Sequence, residues 1–384
     1  MSGGQGGDAG IRIEQVVPGS KAVDRFIALP YRLHEGDPNW VPPLYMERQE
    51  TLSPKLNPYF QHADVMFFLA LRGEKVVGRI SAQIDRAGLE IRQDATGHFG
   101  LLAAEDDQAV VDALFAAAAD WLRARGMVHM VGPFNLSINE ETGLLVDGWD
   151  TPPMLLMGHD RAYLGPRIEG AGLTKAKDIY AYLYDIQHDL PKPVRRLIDR
   201  PLPANIRLRM LDMKRYDQDL ENITSIFNNA WAGNWGFVPL SEAETKQMAK
   251  SLKLLINPKL AWIVEVDDTP AAFGVCLPNL NEAIADLGGK LLPFGLIKLL
   301  WRLKVKGVKT ARVPLMGVRR DVGGWLQAIL PFLIIDAMRR EAKQLGYKQI
   351  ELSWILEDNL PMRRIIEAVA TSRYKTYRLY GKPL

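Results

Sequence analysis

The chain has 384 residues, of which 47% are hydrophobic and 24% charged, values that are ordinary for a globular protein. Its 48 lysines and arginines exceed its 45 aspartates and glutamates only slightly, so the net charge of +3 argues against a nucleic-acid-binding protein. The length favours two domains over one core. The single cysteine, Cys276, excludes an internal disulfide and suits a reducing compartment, and we expect a cytoplasmic protein.

The first half begins with a glycine-rich segment, residues 1–10, that predicts a disordered tail. The pattern from residue 11 then predicts a strand, an amphipathic helix, a hairpin turning at Gly73 and a further strand. A helix that ends at Gly126, another strand, a short helix and a final strand complete this half. We therefore expect an N-terminal domain over residues 11–190.

The second half repeats the order of the first. A proline-rich linker, residues 191–204, separates the two, as domain boundaries often do. Residues 205–384 then predict a strand, a helix, a hairpin about Asp267 and Asp268, a strand, a long helix from Trp325 to Gly346, a strand, a helix and a strand. This pattern indicates an α/β fold with two mixed, mostly antiparallel sheets, each flanked by helices.

Several stretches carry a family resemblance: DPNWVPPL, NPYFQHADVMFFLALRGEKVVGRI, GPFNLSINEETGLLVDGWDTPPMLLMGHD, NNAWAGNWGFVPLSEAE and YKTYRLYGK. The order of elements resembles the GNAT acyltransferase superfamily, repeated in tandem. The stretches resemble one bacterial group of tandem GNAT proteins, some of which are labelled dATP pyrophosphohydrolases, and the bacterial ceramide synthases resemble the same group. The resemblance implies two tandem GNAT-like domains and an N-acyltransferase that uses acyl-CoA as co-substrate.

The pyrophosphohydrolase label conflicts with the sequence, because that chemistry uses a carboxylate-rich helix to hold divalent metal. The sequence contains no such helix, and its six histidines lie scattered through the first half without metal-ligand spacing. We therefore expect no bound metal.

A turn after an apolar strand in the second half is the candidate cofactor site. GNAT enzymes hold the pyrophosphate of acyl-CoA on a turn reading Gln/Arg-x-x-Gly-x-Gly/Ala, which opens a helix. Here the turn reads Arg-Asp-Val-Gly-Gly-Trp from Arg320, a degenerate match that a plain strand-to-helix turn would also give. The residues expected to bind the cofactor, including the strand backbone that would hold the thioester carbonyl, are Met316, Val318, Arg319, Arg320, Val322, Gly323, Gly324 and Asn359.

The corresponding turn of the first half carries Glu105, Asp106 and Asp107, whose carboxylates would repel a pyrophosphate. We therefore expect only the C-terminal domain to bind acyl-CoA.

The catalytic groups are harder to assign. The resemblance implies a tyrosine acid in the helix after Asn359, but Ile365 and Ile366 fill that region. Tyr380 on the last strand could replace it, or could serve as aromatic packing. Candidate bases are His159, which Glu140 or Glu141 could orient, and Glu351 on its strand.

Two polar loops are candidates for binding the acceptor, although each could be a turn that satisfies its own backbone. The first, NLSINEET, should face the second half, and the second, NAWAGNWGF, corresponds to the segment that covers the acceptor in GNAT proteins. The residues expected to bind substrate are Asn135, Ser137, Asn139, Asn228, Trp231, Asn234 and Trp235.

Residues 286–313, which we call the basic–apolar segment, join a run of leucines to seven lysines and arginines. This pattern suits an anionic membrane surface or an acyl-chain groove, and a core helix with solvated lysines is the alternative. We expect an acyl-CoA-dependent N-acyltransferase for a lipophilic amine such as a sphingoid base, acting at the inner face of the membrane. The alternatives are a non-catalytic acyl-CoA- or lipid-binding protein and an aminoacyl-tRNA-dependent transferase; no coiled-coil arm or broad basic surface supports the latter.

Overall fold

The computed structural model describes residues 10–370 and 372–384, so the predicted tail, except for residue 10, lies outside the described residues. The first half contains seven strands and five helices. They are β1 (Ile11–Val16), α1 (Val23–Leu33), α2 (Tyr45–Thr51), β2 (Ala63–Arg72), β3 (Lys75–Asp85), α3 (Arg86–Arg92), β4 (Thr96–Ala104), α4 (Gln108–Arg123), β5 (His129–Gly132), β6 (Leu144–Asp147), α5 (Leu164–Gly170) and β7 (Thr174–Asp185).

The second half follows the same order after a connecting helix. Its elements are α6 (Lys192–Ile198), β8 (Ile206–Met210), α7 (Tyr216–Trp231), α8 (Glu242–Leu252), β9 (Ala261–Val266), β10 (Thr269–Pro278), α9 (Leu280–Ile284), α10 (Gly295–Trp301), a π-turn (Arg302–Lys306), β11 (Thr310–Val318), α11 (Trp325–Gln344), β12 (Gln349–Leu356), α12 (Leu360–Val369) and β13 (Ser372–Pro383).

Sequence pattern accounts for these elements locally. Helix α4, for example, begins at Asp107, whose side chain accepts a hydrogen bond from the backbone N–H of Ala109. Val110, Leu114 and Ala118 recur at helical spacing and are buried against the sheet. Burial of a side chain as large as leucine contributes about 1.5–3 kcal/mol, so this apolar face fixes the helix on the sheet.

The strands form one mixed sheet in the order β1-β2-β3-β4-β5-β13-β7-β12-β11-β10-β9-β8, with β6 beside β13. Only β4 with β5 and β11 with β12 run parallel; the other pairs are antiparallel. The predicted fold class, α/β with mostly antiparallel strands flanked by helices, is confirmed.

The expected separation into two sheets is wrong, because the final strands of the halves are exchanged. Strand β13 of the second half pairs with β5 of the first, where Tyr380 lies opposite Gly132. Strand β7 of the first half pairs with β12 of the second, where Tyr182 lies opposite Leu352. Since β13 and β7 also pair with each other, the two sheets become one.

The predicted linker is also more ordered than its proline content suggests. Pro191 precedes helix α6, and the backbone geometry that proline prefers suits a helix start. Val194 and Ile198 are buried, and Arg195 forms a 2.9 Å ion pair with Asp336 on α11. The segment therefore packs on the second half.

Candidate functional site

A cavity opens where β11 and β12 separate. The two strands pair only over Thr310–Val313 and Gln349–Leu352. Beyond that point the register of β11 against β10 shifts, and Pro314, which has no backbone N–H, cannot continue the ladder. The resulting cavity of about 320 Å³ reaches the start of α11, and we call it the wedge cavity. Met316, Val318, Arg320 and Asn359 of the predicted cofactor set line it, as does Asn234 of the predicted substrate set.

The predicted phosphate turn lies at the mouth of the wedge cavity. The backbone N–H of Arg320 donates to Asn229 Oδ1 at 2.8 Å, and Gly324, with φ of 65°, leads directly into α11. The first amides of a helix have no partner within it, and glycine offers no side chain to cap them. A Cβ added to Gly323 or Gly324 would meet no atom within 4 Å. The turn thus presents open backbone and the positive end of a 20-residue helix.

Arg319 and Val322 complete the turn. Arg319 Nε lies 3.0 Å from Asp321 Oδ1, so the side chain of Arg319 is partly neutralised within the turn. The backbone N–H of Val322 donates to the carbonyl of Arg319 at 3.3 Å, which closes the turn. All eight predicted cofactor residues are therefore gathered at the end of β11 and around the wedge cavity.

The corresponding opening in the first half is filled. Strands β4 and β5 pair over only three residues, Thr96–His98 with His129–Val131. The chain after β5 then returns between them: Phe134 N donates to Phe99 O at 2.8 Å. A Cβ on Gly100 would lie only 1.6 Å from the carbonyl oxygen of Phe134. The acidic turn is occupied as well, because Asp107 caps α4 and lies 2.7 Å from Arg72.

A second cavity, of about 310 Å³, lies on the opposite face of β11, between the two halves; we call it the acceptor cavity. Successive residues of a strand point to opposite faces, and accordingly Arg312 lines the acceptor cavity whereas Val313 lines the wedge cavity. The two cavities share three lining residues: Trp231, Pro314 and Trp354. The rings of Trp231 and Trp354 meet edge to face, with centroids 6.0 Å apart.

The polar loop of the first half forms one wall of the acceptor cavity. Ser137, Asn139, Glu140 and Glu141 line it, and Asn139 Nδ2 donates to the carbonyl of Val238 in the second half at 3.1 Å. The loop therefore faces the second half, as its position in the sequence suggests.

Two neighbouring glutamates of this loop differ in their electrostatics. Burial raises the pKa of Glu140 to about 8; the charge of Arg48 opposes this shift, and the charge of Glu141 adds to it. Burial also acts to raise the pKa of Glu141, but the charge and hydrogen bond of Arg48 outweigh it, so that pKa lies below its ordinary value. Asn135 Nδ2 donates to the other oxygen of Glu141 at 3.0 Å. Glu140 can thus exchange a proton near neutral pH, whereas Glu141 remains ionised.

A buried polar cluster forms the floor of the acceptor cavity. Arg312 Nε donates to Ser353 Oγ at 2.8 Å and lies 3.1 Å from Glu351 Oε1, while Arg312 Nη1 donates to the carbonyl of Leu155 at 2.7 Å. Ser353 donates to Glu351 Oε1 at 2.5 Å, and Tyr374 donates to Glu351 Oε2. Both oxygens of Glu351 therefore already accept a hydrogen bond, and this candidate base lines neither the wedge cavity nor the acceptor cavity.

The remaining catalytic candidates lie elsewhere. His159 is buried, with Nε2 3.3 Å from Asp37 Oδ2, and lines a smaller first-half cavity that shares Arg48 and Glu141 with the acceptor cavity. Tyr380 is buried in the core of the first half, with its hydroxyl 3.4 Å from Glu169. The structure does not bring either residue into the wedge or acceptor cavity.

The predicted substrate residues of the second polar loop lie at different places in the structure. Trp231 lies at the junction of the two cavities, and its Nε1 donates to the carbonyl of Met316 at 3.4 Å. Asn228 instead fixes the loop before α8, because its side chain bonds to both the N–H and the carbonyl of Leu240. Trp235 lines a small neighbouring cavity that also contacts Trp231.

The basic–apolar segment splits into a buried and an exposed face. Leu299 is only 6% exposed and packs with Leu44 and Val308. By contrast, Leu292 is 81% exposed and Ile297 67%. The exposed apolar residues, which we call the apolar patch, are Leu292, Phe294, Leu296, Ile297, Trp301 and Val305.

Sequence reasoning assigned one basic residue of the segment wrongly, did not single out Arg48, and did not reveal the raised pKa of Glu140. Arg312 belongs to the buried cluster rather than to a basic flank; its position inside the apolar run of β11 was the available signal. Arg48 and its partner Glu141 are separated by 93 residues, and the charges of both act on the pKa of Glu140. No local sequence pattern reveals such contacts. Of the helices in the described ranges, none is long and apolar enough to cross a membrane.

Comparisons with known proteins agree with this architecture, although no protein-family model matches the chain. A Caulobacter vibrioides protein named bacterial ceramide synthase is 57% identical over 364 residues, which cover 94% of each chain. Protein YghO of Escherichia coli is 42% identical over 94% of this chain and 92% of its own.

Solved structures show the same fold at low sequence identity. A tandem GNAT protein from the clavulanic acid biosynthesis pathway superposes with a TM-score of 0.56 at 12% identity, covering 97% of this chain and 98% of its own. A GCN5-related N-acetyltransferase from Sphaerobacter thermophilus gives a TM-score of 0.50, with 12% identity and coverages of 97% and 95%. The chain therefore belongs to the bacterial ceramide synthase family and is a GNAT-type N-acyltransferase with a tandem GNAT fold.

Proposed function

We propose that this acyltransferase uses acyl-CoA to acylate a lipophilic amine, most specifically a sphingoid base, and so forms a ceramide-type amide. The observation that carries the proposal is the meeting of two cavities at Trp231, Pro314 and Trp354. One cavity ends at the open start of a long helix, which suits a pyrophosphate; the other is lined by carboxylates and apolar side chains, which suits a long-chain ammonium. The name of the Caulobacter relative supports the choice of substrate.

In this proposal the acyl thioester enters from the wedge cavity and the amine from the acceptor cavity. The amine nitrogen forms a bond to the thioester carbon, the carbon–sulfur bond breaks, and CoA leaves as its thiol. Backbone groups between Met316 and Val318 would hold the thioester carbonyl, since they line the cavity where β11 no longer pairs with β12. Holding both reactants in line is itself a large part of such catalysis.

Glu140 is our proposed base for the proton that the amine must lose. It lines the acceptor cavity, and a pKa of about 8 leaves it able both to accept and to release a proton near neutral pH. Glu141 is committed to Arg48 and Asn135, and Glu351 to Arg312 and Tyr374. The role of His159 as a base stays a prediction. His159 lines the neighbouring cavity, which shares Arg48 and Glu141 with the acceptor cavity.

The acceptor cavity also accounts for a lipophilic substrate. Its polar end holds Glu140, while apolar side chains from α7, the loop before α8, α8 itself and β10 cover the rest. These apolar residues are Phe227, Leu240, Met248, Leu252 and Leu277. An amine with a hydrocarbon chain would remove this surface from water, at roughly 25 cal/mol per Å² of buried apolar area.

The apolar patch supports action at the inner face of an anionic membrane. Lysines flank it at Lys290, Lys304 and Lys306, so apolar contact and charge attraction would act together. The patch lies close to the acceptor cavity. Lys304 donates to the carbonyl of Leu254, just beyond α8, and Leu44, which packs with this segment, precedes α2; both helices line the cavity.

The proposed function is tested with the purified full-length chain, palmitoyl-CoA and sphinganine. We expect mass spectrometry to detect the N-acyl amide, and a thiol assay to detect one equivalent of CoA for each amide. The Gly323→Glu variant, which places a carboxylate at the phosphate turn, should form no amide. Acyl-CoA binding without amide formation from any long-chain amine would contradict the proposal.

A further inference from the structure

The buried guanidinium of Arg312 has one nitrogen whose N–H groups have no partner among the described residues. Arg312 is 1% exposed, and its Nε and Nη1 are occupied by Ser353 and by the carbonyl of Leu155. Its Nη2 is buried and has no hydrogen-bond partner among the described residues. A buried donor without a partner is destabilising, so folded proteins rarely retain one unless a ligand or water accepts its hydrogen bond.

The cavity that Arg312 lines indicates which kind of group can accept a hydrogen bond from Nη2. The acceptor cavity meets the wedge cavity beside Pro314 and Trp354, so Arg312 lies near the end where the amine would react. The guanidinium of arginine only donates hydrogen bonds, and an ammonium has no lone pair with which to accept one. The partner must therefore be an acceptor atom that lies close to the amine in the same molecule.

Charge restricts that acceptor to an uncharged oxygen. The charge of Arg312 is already balanced by Glu351 at 3.1 Å. Five glutamates line the acceptor cavity, against two arginines, Arg48 and Arg312, so that glutamates remain in excess even when Glu140 is protonated. An acceptor molecule with a carboxylate or phosphate would meet this excess of negative charge and be repelled. A hydroxyl or carbonyl oxygen meets the requirement without adding charge.

We propose that Arg312 binds an uncharged oxygen close to the amine of the acceptor, and thereby selects oxygen-bearing long-chain amines over plain alkylamines. This inference rests on the proposed function and adds a specificity-determining residue to it. Ser353, Glu351 and the carbonyl of Leu155 hold the guanidinium at the wall of the acceptor cavity, with Nη2 as its nitrogen without a partner. An amine without the oxygen would leave the donor unpaired.

The test compares two matched amines, sphinganine and 2-aminooctadecane, which differ only in the two hydroxyl groups. With palmitoyl-CoA as donor, we expect the wild-type chain to favour sphinganine in kcat/KM by roughly ten- to a hundredfold. Arg312→Met should reduce this preference to about onefold, chiefly by slowing the reaction of sphinganine. Equal use of both amines by the wild-type chain would overturn the inference without any variant.

Two further variants separate recognition from folding. Arg312→Met leaves Glu351 buried and unpaired, so the double variant Arg312→Met/Glu351→Gln removes both charges and should show the same lost preference. Arg209→Met is the control, because Arg209 is likewise paired with carboxylates, in its case Asp219 and Glu265, but lines neither cavity. It should keep the wild-type preference.

The result distinguishes this inference from the proposed function. If the wild-type chain acylates no amine, the proposed function fails. If it acylates sphinganine, but the Arg312 variants slow both amines by the same factor, Arg312 has only a structural role and this inference alone is overturned.

Discussion

The pKa of Glu140 sets the pH range in which this residue can act as a base. Burial raises that pKa to about 8, and only the ionised carboxylate can accept the proton of the amine. A carboxyl group with a raised pKa is protonated below that pKa and ionised above it. Activity that depends on Glu140 should therefore increase as the pH rises through about 8.

The size of this effect follows from the titration of a single group. With a pKa of about 8, about a tenth of Glu140 is ionised at pH 7, half at pH 8 and nine tenths at pH 9. Its contribution to kcat/KM should rise about fivefold from pH 7 to 8 and about tenfold from pH 7 to 9. The amine also loses a proton over this range, so the quantity to compare is the ratio of wild type to Glu140→Gln.

The assay measures kcat/KM for sphinganine from pH 6 to 10 in both proteins. At pH 9 Glu140→Gln should be slower by about a hundredfold or more, and the ratio should increase with pH and level off above 9. Glu141→Gln should move the midpoint below 8, because Glu140 then loses a repelling charge and Arg48 is freed to attract it. A ratio that is the same at every pH would refute the reasoning, and His159→Ala would then be the variant to measure.

The remaining predictions concern the cofactor turn and the membrane. Gly323→Glu should abolish acyl-CoA binding in calorimetry, whereas Asp106→Ala, at the filled first-half turn, should leave it unchanged; equal effects would contradict the asymmetry. Serine at Leu292 and Ile297 should reduce pelleting with anionic vesicles and leave the melting temperature unchanged, whereas serine at the buried Leu299 should lower it. Failure of the wild-type chain to pellet would refute membrane docking.

Much of the fold could be predicted because local patterns specify local elements. The helix after the phosphate turn was expected from Trp325 to Gly346 and spans Trp325–Gln344, since its apolar spacing and its glycine terminator are both short-range signals. The exchange of β7 and β13 has no such signal. Each strand shows only alternation, which says that one face is buried but does not say which strand lies beside it.

The residues of the candidate site also separate into those that a local sequence pattern can indicate and those that only the packed structure reveals. The turn at Arg320 could be proposed from the sequence as a phosphate site, because phosphate-binding turns need a fixed order of residues along the chain. The cluster of Arg312 and Glu351 could not, because a charged side chain in a strand is normally solvated and only the packed structure shows that these two are buried together. Our proposed base is Glu140 rather than His159 for a similar reason: Arg48, which lowers the pKa of Glu141 and leaves that of Glu140 raised, lies on a distant helix.

The strand exchange leads to a last prediction, about folding. A simple tandem pair would unfold in two steps, since each half would have its own sheet. Here β13 lies between β5 and β7, and β7 also pairs with β12, so neither half can lose its final strand without opening the other. We therefore expect one cooperative transition in urea. Leu114→Ala, deep in the first half, should cost about 2–5 kcal/mol and lower the midpoint equally for hydrogen exchange in β2 and in β10. A lowered midpoint in β2 alone would show that the halves unfold independently.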